Sequence, residues 1–138
     1  MRFLRLRSAL AALSVCATLV VGGATTASAT FSACSFGSSS GNAQTCMQVL
    51  GSGLNVEEAM ATVTMRQVPR TFKVCMVGPS ADLPACNGPV SLIVGQAIGV
   101  TWRPFSNEPS GNYCAESYRE NSNRTFTHIA EACVNVHR

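Results

Sequence analysis

The sequence predicts an all-β protein, a small disulfide-stapled antiparallel β-sandwich of about seven strands. Short runs that alternate β-branched and polar residues are interrupted by Gly, Pro, Asn and Ser at intervals of about 8–12 residues. No segment of helical length shows a convincing amphipathic period. Seven cysteines are present, and six of them lie beyond Thr30, an even number that is typical of a disulfide framework.

The N-terminal segment has the features of a cleaved signal peptide. Arg2, Arg5 and Arg7 precede an apolar run over residues 10–21, which is too short to anchor the chain in a bilayer. Ala27 and Ala29 provide the small side chains that signal peptidase requires, so that cleavage is predicted after Ala29. We therefore expect residues 1–29 to be a signal peptide and the mature chain, of about 109 residues, to be secreted into the extracellular space.

Cys16 leaves one alternative open for this segment. Residues 13–16 resemble a lipoprotein cleavage box in which Cys16 would carry the lipid. Val15 is large for the position before such a cysteine, and the Ala-x-Ala site that follows favours release of the chain instead.

The charge balance changes when the signal peptide is removed. The full chain carries a net charge of +3, but three of its ten basic residues lie in the signal segment, which leaves seven basic and seven acidic residues. A net charge near zero disfavours nucleic acid and anionic membranes as partners, because both require clustered Lys and Arg. We expect no nucleic-acid partner, no membrane partner after signal cleavage, and a monomer whose partner is an extracellular protein or a glycan.

The cysteines of the mature chain predict three disulfides. Six cysteines allow 15 pairings. The sequential pairing is favoured because each pair then brackets one turn-rich segment: Cys34–Cys46, Cys75–Cys86 and Cys114–Cys133. No Cys-x2-Cys pair is present, and the two histidines do not lie at zinc-finger spacing. We therefore expect no metal site and no cofactor.

The domain is predicted to begin with a loop and two strands. Residues 30–43 are rich in Ser, Gly and Asn, which is typical of a surface loop, and residues 44–138 are predicted to form one domain. Residues 44–50 predict a first strand. Residues 54–67 predict a second strand, although Asn55 followed by Glu58 also suits a helix start, so that strand and helical turn stay open for residues 55–60.

The middle of the chain continues the strand pattern. The predicted strands here are residues 70–77, 90–94 and 98–102. Residues 82–89 are predicted to be irregular because two prolines and an Asn-Gly pair interrupt them. Ile98, Val100 and Trp102 share one face of the last strand, which predicts Trp102 in the core rather than on a sugar-binding surface.

Residues 109–137 predict a closing hairpin with one cysteine in each strand. The register that pairs Cys114 with Cys133 also places Glu116 opposite Glu131 on the outward face. Such a carboxylate pair suits a glycosidase dyad, a calcium site or a merely structural contact. His128 is in phase with the apolar positions of its strand, which predicts a place at the edge of the core.

Two resemblances add to this pattern. The segment Pro-Ser-Gly-Asn-Tyr-Cys at residues 109–114 resembles the entry to strand F of immunoglobulin-like sandwiches, which implies that the Tyr113 hydroxyl binds the backbone in a tyrosine corner. The tyrosine is adjacent to Cys114 rather than two residues before it, so the inter-sheet disulfide of antibody domains is not carried over.

The whole chain also resembles the small secreted cysteine-containing proteins of high-GC filamentous soil bacteria. The Ala- and Val-rich signal segment, the cysteine count and the closing Cys-Val-Asn-Val-His at residues 133–137 carry this resemblance. It implies secretion and a small β-domain, and it implies no particular activity.

Two functional hypotheses follow. The first is a non-enzymatic extracellular binding module, with a surface formed by Glu116, Tyr118, Arg119 and Glu131 and by the loop over residues 35–42. The alternative is a secreted protease inhibitor that uses the Cys75–Cys86 loop. No catalytic residues are assigned, because no nucleophile motif is present and the cysteines are predicted to be paired. A hydrolase using Glu116 and Glu131 is the least favoured hypothesis.

Overall fold

The computed structural model describes residues 29–37 and 43–138, and these residues form nine β-strands without any helix. The strands are β1 (Ala29–Phe36), β2 (Ala43–Ser52), β3 (Asn55–Met65), β4 (Arg70–Val77), β5 (Ala85–Leu92), β6 (Ala97–Trp102), β7 (Ser106–Asn107), β8 (Gly111–Glu120) and β9 (Phe126–Val136). This part of the chain therefore contains no helix that could span a bilayer. Residues 1–28, with most of the predicted signal peptide and Cys16, lie outside the described residues. The prediction of an all-β protein is confirmed.

The strands form two antiparallel sheets that pack on each other as a sandwich. The first sheet has the order β1-β2-β3-β6, and the short β7 pairs with the start of β3. The second sheet has the order β5-β4-β8-β9. The chain passes between the sheets after β3, after β5 and after β7, so that each sheet combines strands from separate parts of the sequence.

Alternate residues of the inner strands fill the space between the sheets. The largest fully buried side chains include Met47 and Met65 from the first sheet and Phe72, Met76 and Tyr113 from the second. Burying such side chains contributes about 1.5–3 kcal/mol each relative to leaving them in water. The strand predicted for residues 44–50 is present, and the alternation predicted for residues 70–77 is the alternation that forms the core.

Tyr113 makes the hydrogen bond of a tyrosine corner. Its hydroxyl donates to the Pro109 carbonyl oxygen over 3.0 Å, as the resemblance implies. Its ring stacks on that of Trp102, with centroids 6.0 Å apart, and Trp102 packs against the core as predicted. Gly78 lies beside this ring, and a Cβ there would come within 2.7 Å of the Tyr113 Cδ1 atom. Burial is the main cause that raises the pKa of Tyr113, and the negative charge of the nearby Glu108 carboxylate raises it further.

Two hydroxyl groups meet in the middle of the core. Thr45 Oγ1 of the first sheet lies 2.5 Å from Ser117 Oγ of the second sheet, and both residues are fully buried. Ser117 Oγ also lies 3.4 Å from the Ala130 carbonyl oxygen. The Ser117 hydroxyl can therefore donate to this carbonyl oxygen while it accepts a hydrogen bond from the Thr45 hydroxyl. The pair satisfies polar atoms that would otherwise be costly to bury.

The three predicted disulfides are present, and each fixes an edge strand to its inner neighbour. Cys34–Cys46 joins β1 to β2, Cys75–Cys86 joins β5 to β4, and Cys114–Cys133 joins β9 to β8. Each pair consists of residues directly opposite in the strand register. The neighbouring residues in the inner strands face the core, so the disulfides lie on the outer faces of the sheets and none joins one sheet to the other. The outward position predicted for Cys114–Cys133 is confirmed.

Two local predictions were wrong. The Ser- and Gly-rich segment predicted as a loop contains β1. Its side chains are mostly exposed, and hydrogen bonds and a disulfide to β2 hold it in place as an edge strand. Residues 38–42 lie outside the described residues.

The region 82–89, predicted to be irregular, contains the start of β5, where a register shift accommodates Gly88. Gly88 has a φ of +105°, and a Cβ there would lie 2.7 Å from the Phe72 carbonyl oxygen. Residues 55–60, left open above, are strand.

We predict that the variant Cys34→Ser/Cys46→Ser loses about 2–3 kcal/mol of free energy of unfolding, because the disulfide no longer restricts the unfolded chain. Since this disulfide fixes an edge strand and not the two sheets, hydrogen exchange should accelerate mainly in β1 while the sandwich stays folded. Urea unfolding and hydrogen-exchange mass spectrometry measure the two effects. The matched variant Cys114→Ser/Cys133→Ser should accelerate exchange in β9 instead, and a uniform increase over all strands in both variants would contradict this assignment.

Candidate functional site

Charged and aromatic side chains gather on the outer face of the second sheet. We call this set the outer-face cluster: Lys73, Glu116, Tyr118, Phe126, His128 and Glu131. Strand pairing places them side by side, since Lys73 is opposite Tyr118, Tyr118 is opposite His128, and Glu116 is opposite Glu131. The register predicted from the cysteine spacing, with Glu116 facing Glu131, is therefore confirmed.

A bulge in β9 brings His128 into the cluster. The register shifts between Ser117, which pairs with Ala130, and Tyr118, which pairs with His128, so that Ile129 is an extra residue. Both Ile129 and Ala130 are buried. Uninterrupted alternation would have put His128 on the same face as Ala130, and the predicted position at the edge of the core was wrong for this reason. The sequence signal for the bulge is the pair of consecutive apolar residues at 129 and 130.

Tyr118 is the centre of the cluster. Its ring meets that of His128 edge-on, with centroids 5.3 Å apart and an interplanar angle of 70°. The Lys73 ammonium lies 4.8 Å from the centroid of the Tyr118 ring and 5.1 Å from that of Phe126, within cation–π range of both. The Tyr118 hydroxyl donates a hydrogen bond to the Glu116 carboxylate. Three other members of the cluster are thus in direct contact with a single tyrosine.

The acidic environment changes the ionisation of Tyr118. The hydrogen bond to the Glu116 carboxylate is the largest cause that raises the pKa of Tyr118 to about 12. Partial burial and the negative charges of Glu116 and Glu131 act in the same direction. The phenol therefore stays protonated at physiological pH and remains a hydrogen-bond donor.

Glu131 lies next to the outer-face disulfide. Its carboxylate oxygen is 2.8 Å from Cys133 Sγ, which carries no proton because it is bonded to Cys114. Glu131, Cys114 and Cys133 are the one set of three potential metal ligands that lie close together in the described parts of the chain. Two of the three are bonded to each other as a disulfide, which leaves one carboxylate, too few ligands for a metal ion.

Arg119 is separated from the other predicted binding residues. Glu116, Tyr118 and Glu131 share the outer face, whereas Arg119 pairs with Phe72, a core residue, and therefore points to the opposite side of the strand. Alternation along β8 already carries this signal, since Arg119 directly follows Tyr118. The predicted loop over residues 35–42 is connected to this region by a hydrogen bond, in which the Ser35 hydroxyl donates to the Glu131 carbonyl oxygen over 2.6 Å.

The Cys75–Cys86 loop does not have the shape that a substrate-like inhibitor needs. Leu83 packs against the core, and its backbone N–H donates to the Ser80 carbonyl oxygen over 3.2 Å. The exposed residues of the loop include Ala81, Asp82 and Pro84. The loop thus offers a protease no exposed large apolar side chain, and this geometry does not favour the inhibitor hypothesis.

Two clefts lie away from the outer-face cluster. The first has a volume of about 220 Å³ and opens at one end of the sandwich between Phe31, the β2–β3 turn and the end of β9. The second is a shallow cleft of about 310 Å³ lined by Arg70, Arg119 and residues 120–122. Neither includes Glu116 or Glu131; the carboxylate pair lies on the outer face of the second sheet, where Glu131 is exposed and Glu116 partly exposed.

Comparison with protein-family models, with curated proteins and with solved structures found no match.

We predict that Glu116→Gln lowers the pKa of Tyr118 from about 12 towards the ordinary value of 10.0, because the neutral amide removes the charged acceptor. A raised pKa favours the protonated phenol in the folded protein, so this contribution to stability is complete below pH 10 and is lost as the pH rises towards 12. The measurement is a pH titration of the Tyr118 ring carbon by NMR with ¹³C-labelled tyrosine. Glu120→Gln, which removes a carboxylate outside the cluster, is the control; an equal shift in both variants would contradict the assigned cause.

Proposed function

We propose that the protein is a secreted, non-enzymatic binding module that contacts an extracellular protein or glycan through its outer-face cluster. One observation carries this proposal. The bulge at Ile129 puts His128 beside Tyr118 and the two glutamates, so that aromatic rings, carboxylates and an ammonium share one open face. Aromatic residues with a polar tip are enriched in binding surfaces because they offer large contact area at a small cost in side-chain entropy.

The disulfides support an extracellular location. All three lie on the outer faces of the sheets, and disulfides persist in oxidising compartments. The features of a signal peptide in the segment that ends at Ala29 support secretion. Both observations fit a protein that works outside the cell, where edge strands are exposed to proteases.

The openness of the face supports binding rather than catalysis. Hydrolysis by a carboxylate pair requires a cleft that holds the scissile bond between the two carboxylates, and Glu116 and Glu131 line neither of the two clefts. Glu116 also accepts the Tyr118 hydroxyl, which orients it along the sheet surface. An open surface of this kind suits a macromolecular partner better than a small molecule.

The sandwich itself supports an immunoglobulin-like relationship. The order β9-β8-β4-β5 corresponds to one sheet of variable-type immunoglobulin domains. In that sheet the last hairpin, strands F and G, lies beside strand C and its neighbour C′. The Tyr113 corner lies at the entry to β8, the strand that corresponds to strand F. In such domains, sheet faces and end loops are the usual contact surfaces.

We predict that Tyr118→Ala weakens binding to the partner at least about tenfold, because it removes the ring that holds Lys73 and His128 in place. The measurement uses the mature protein against glycan arrays, insoluble polysaccharides and purified secreted proteins, followed by affinity titration of the best ligand. Phe105→Ala is the matched control, since Phe105 is an aromatic residue with 69% of its surface exposed and lies outside the cluster. Binding that Tyr118→Ala and His128→Ala leave unchanged would refute the proposed surface.

A further inference from the structure

Apart from those in the outer-face cluster, the charged residues beyond residue 29 lie at two opposite ends of the fold. One end is formed by the connections over residues 66–69, 93–96 and 121–125, and we call it the arginine end. It carries Arg66, Arg70, Arg119 and Arg124, and its only acidic residue among those described is Glu120. The opposite end carries Glu57, Glu58, Asp82 and Glu108 together with Arg103 and Arg138. A net charge near zero therefore conceals a strong local excess of positive charge.

The guanidinium groups of the arginine end have no carboxylate partner within salt-bridge distance in the described ranges. The one salt bridge among the described residues, 2.5 Å long, joins Arg103 to Glu58 at the opposite end. Arg66 donates to the neutral amide of Gln44. Arg70 and Arg119 line the shallow cleft of about 310 Å³. This end thus presents cationic groups that are available to phosphate or carboxylate groups of a partner.

Exposed aliphatic side chains accompany these arginines. The exposed fraction is 44% for Val68, 58% for Ile93 and 54% for Val94. The two connections that carry them run side by side, since the Gly95 N–H donates to the Met65 carbonyl oxygen over 2.9 Å and Arg70 pairs with Leu92. Three aliphatic side chains are therefore exposed beside the arginines and not scattered singly over the surface.

We propose that the arginine end docks onto an anionic lipid bilayer. Ile93, Val94 and Val68 enter the interface between headgroups and acyl chains, and the arginines contact lipid phosphates. The aliphatic residues decide between a bilayer and a soluble anionic polymer, because a polymer offers no apolar phase in which to bury them. This site is separate from the outer-face cluster and does not depend on the proposed function.

The test is co-sedimentation of the mature protein with vesicles of phosphatidylcholine that contain phosphatidylglycerol as the anionic minor component, compared with vesicles of pure phosphatidylcholine. We expect binding to the anionic vesicles that weakens as the salt concentration rises. Arg70→Gln/Arg119→Gln should weaken binding roughly 30-fold, since each arginine near an anionic surface contributes roughly fivefold. Ile93→Ser/Val94→Ser should also weaken it at least about tenfold.

Matched controls come from the opposite end. Arg103→Gln/Arg138→Gln removes two cations and Phe105→Ser removes an exposed apolar side chain, and both should leave vesicle binding unchanged. Circular dichroism and thermal unfolding verify that each variant is folded, which is expected because none of the altered side chains is buried. Absence of binding to anionic vesicles would overturn the proposal. Binding of dextran sulfate as tight as that of vesicles, unaffected by Ile93→Ser/Val94→Ser, would overturn it in favour of a soluble polyanion.

Discussion

The stability of this small sandwich depends on how it protects the unpaired backbone groups at the edges of its sheets. An edge strand exposes N–H and C=O groups that can fray or pair with another chain. Disulfides fix three of the four outer strands, β1, β5 and β9, to their inner neighbours. At the fourth, β6, the Asn87 side chain from β5 donates to the Gly99 carbonyl oxygen over 2.9 Å. The covalent bonds thus protect edges, while side-chain packing and the Thr45–Ser117 hydroxyl pair hold the sheets together.

The same edge constraint shapes the outer-face cluster. Cys114–Cys133 sets the register of the last hairpin and so forces Glu116 to lie opposite Glu131, an unfavourable arrangement for two carboxylates. The hydrogen bond from Tyr118 to Glu116 offsets part of this repulsion. Further along the hairpin, the bulge reverses the facing of β9 and supplies His128 as the neighbour of Tyr118. The cluster is therefore a consequence of one disulfide and one bulge.

Sequence patterns predicted those parts of the fold that depend on local alternation or on spacing. The inner strands and the opposition of Glu116 and Glu131 follow from apolar periodicity and from the cysteine positions. The missed elements depend on long-range pairing: the side chains of β1 are mostly exposed, and it is a strand because β2 provides its hydrogen bonds. The predicted place of His128 was wrong because a bulge adds one residue to β9 and so reverses the alternation on one side of it. Grouping Arg119 with Tyr118 was wrong for a simpler reason, since alternation separates adjacent residues in a strand.

Charge distribution is a property of topology that composition does not contain. Arg66, Arg70, Arg119 and Arg124 come from distant parts of the sequence, yet all lie at or beside connections that the strand order brings to one end. A net charge near zero argues against an anionic partner only when the charges are mixed over the surface. Strands run from the arginine end to the opposite end, so a sandwich docked by that end keeps its sheet faces in solvent. The outer-face cluster then remains accessible to a second partner, so that one protein molecule can use both surfaces at the same time.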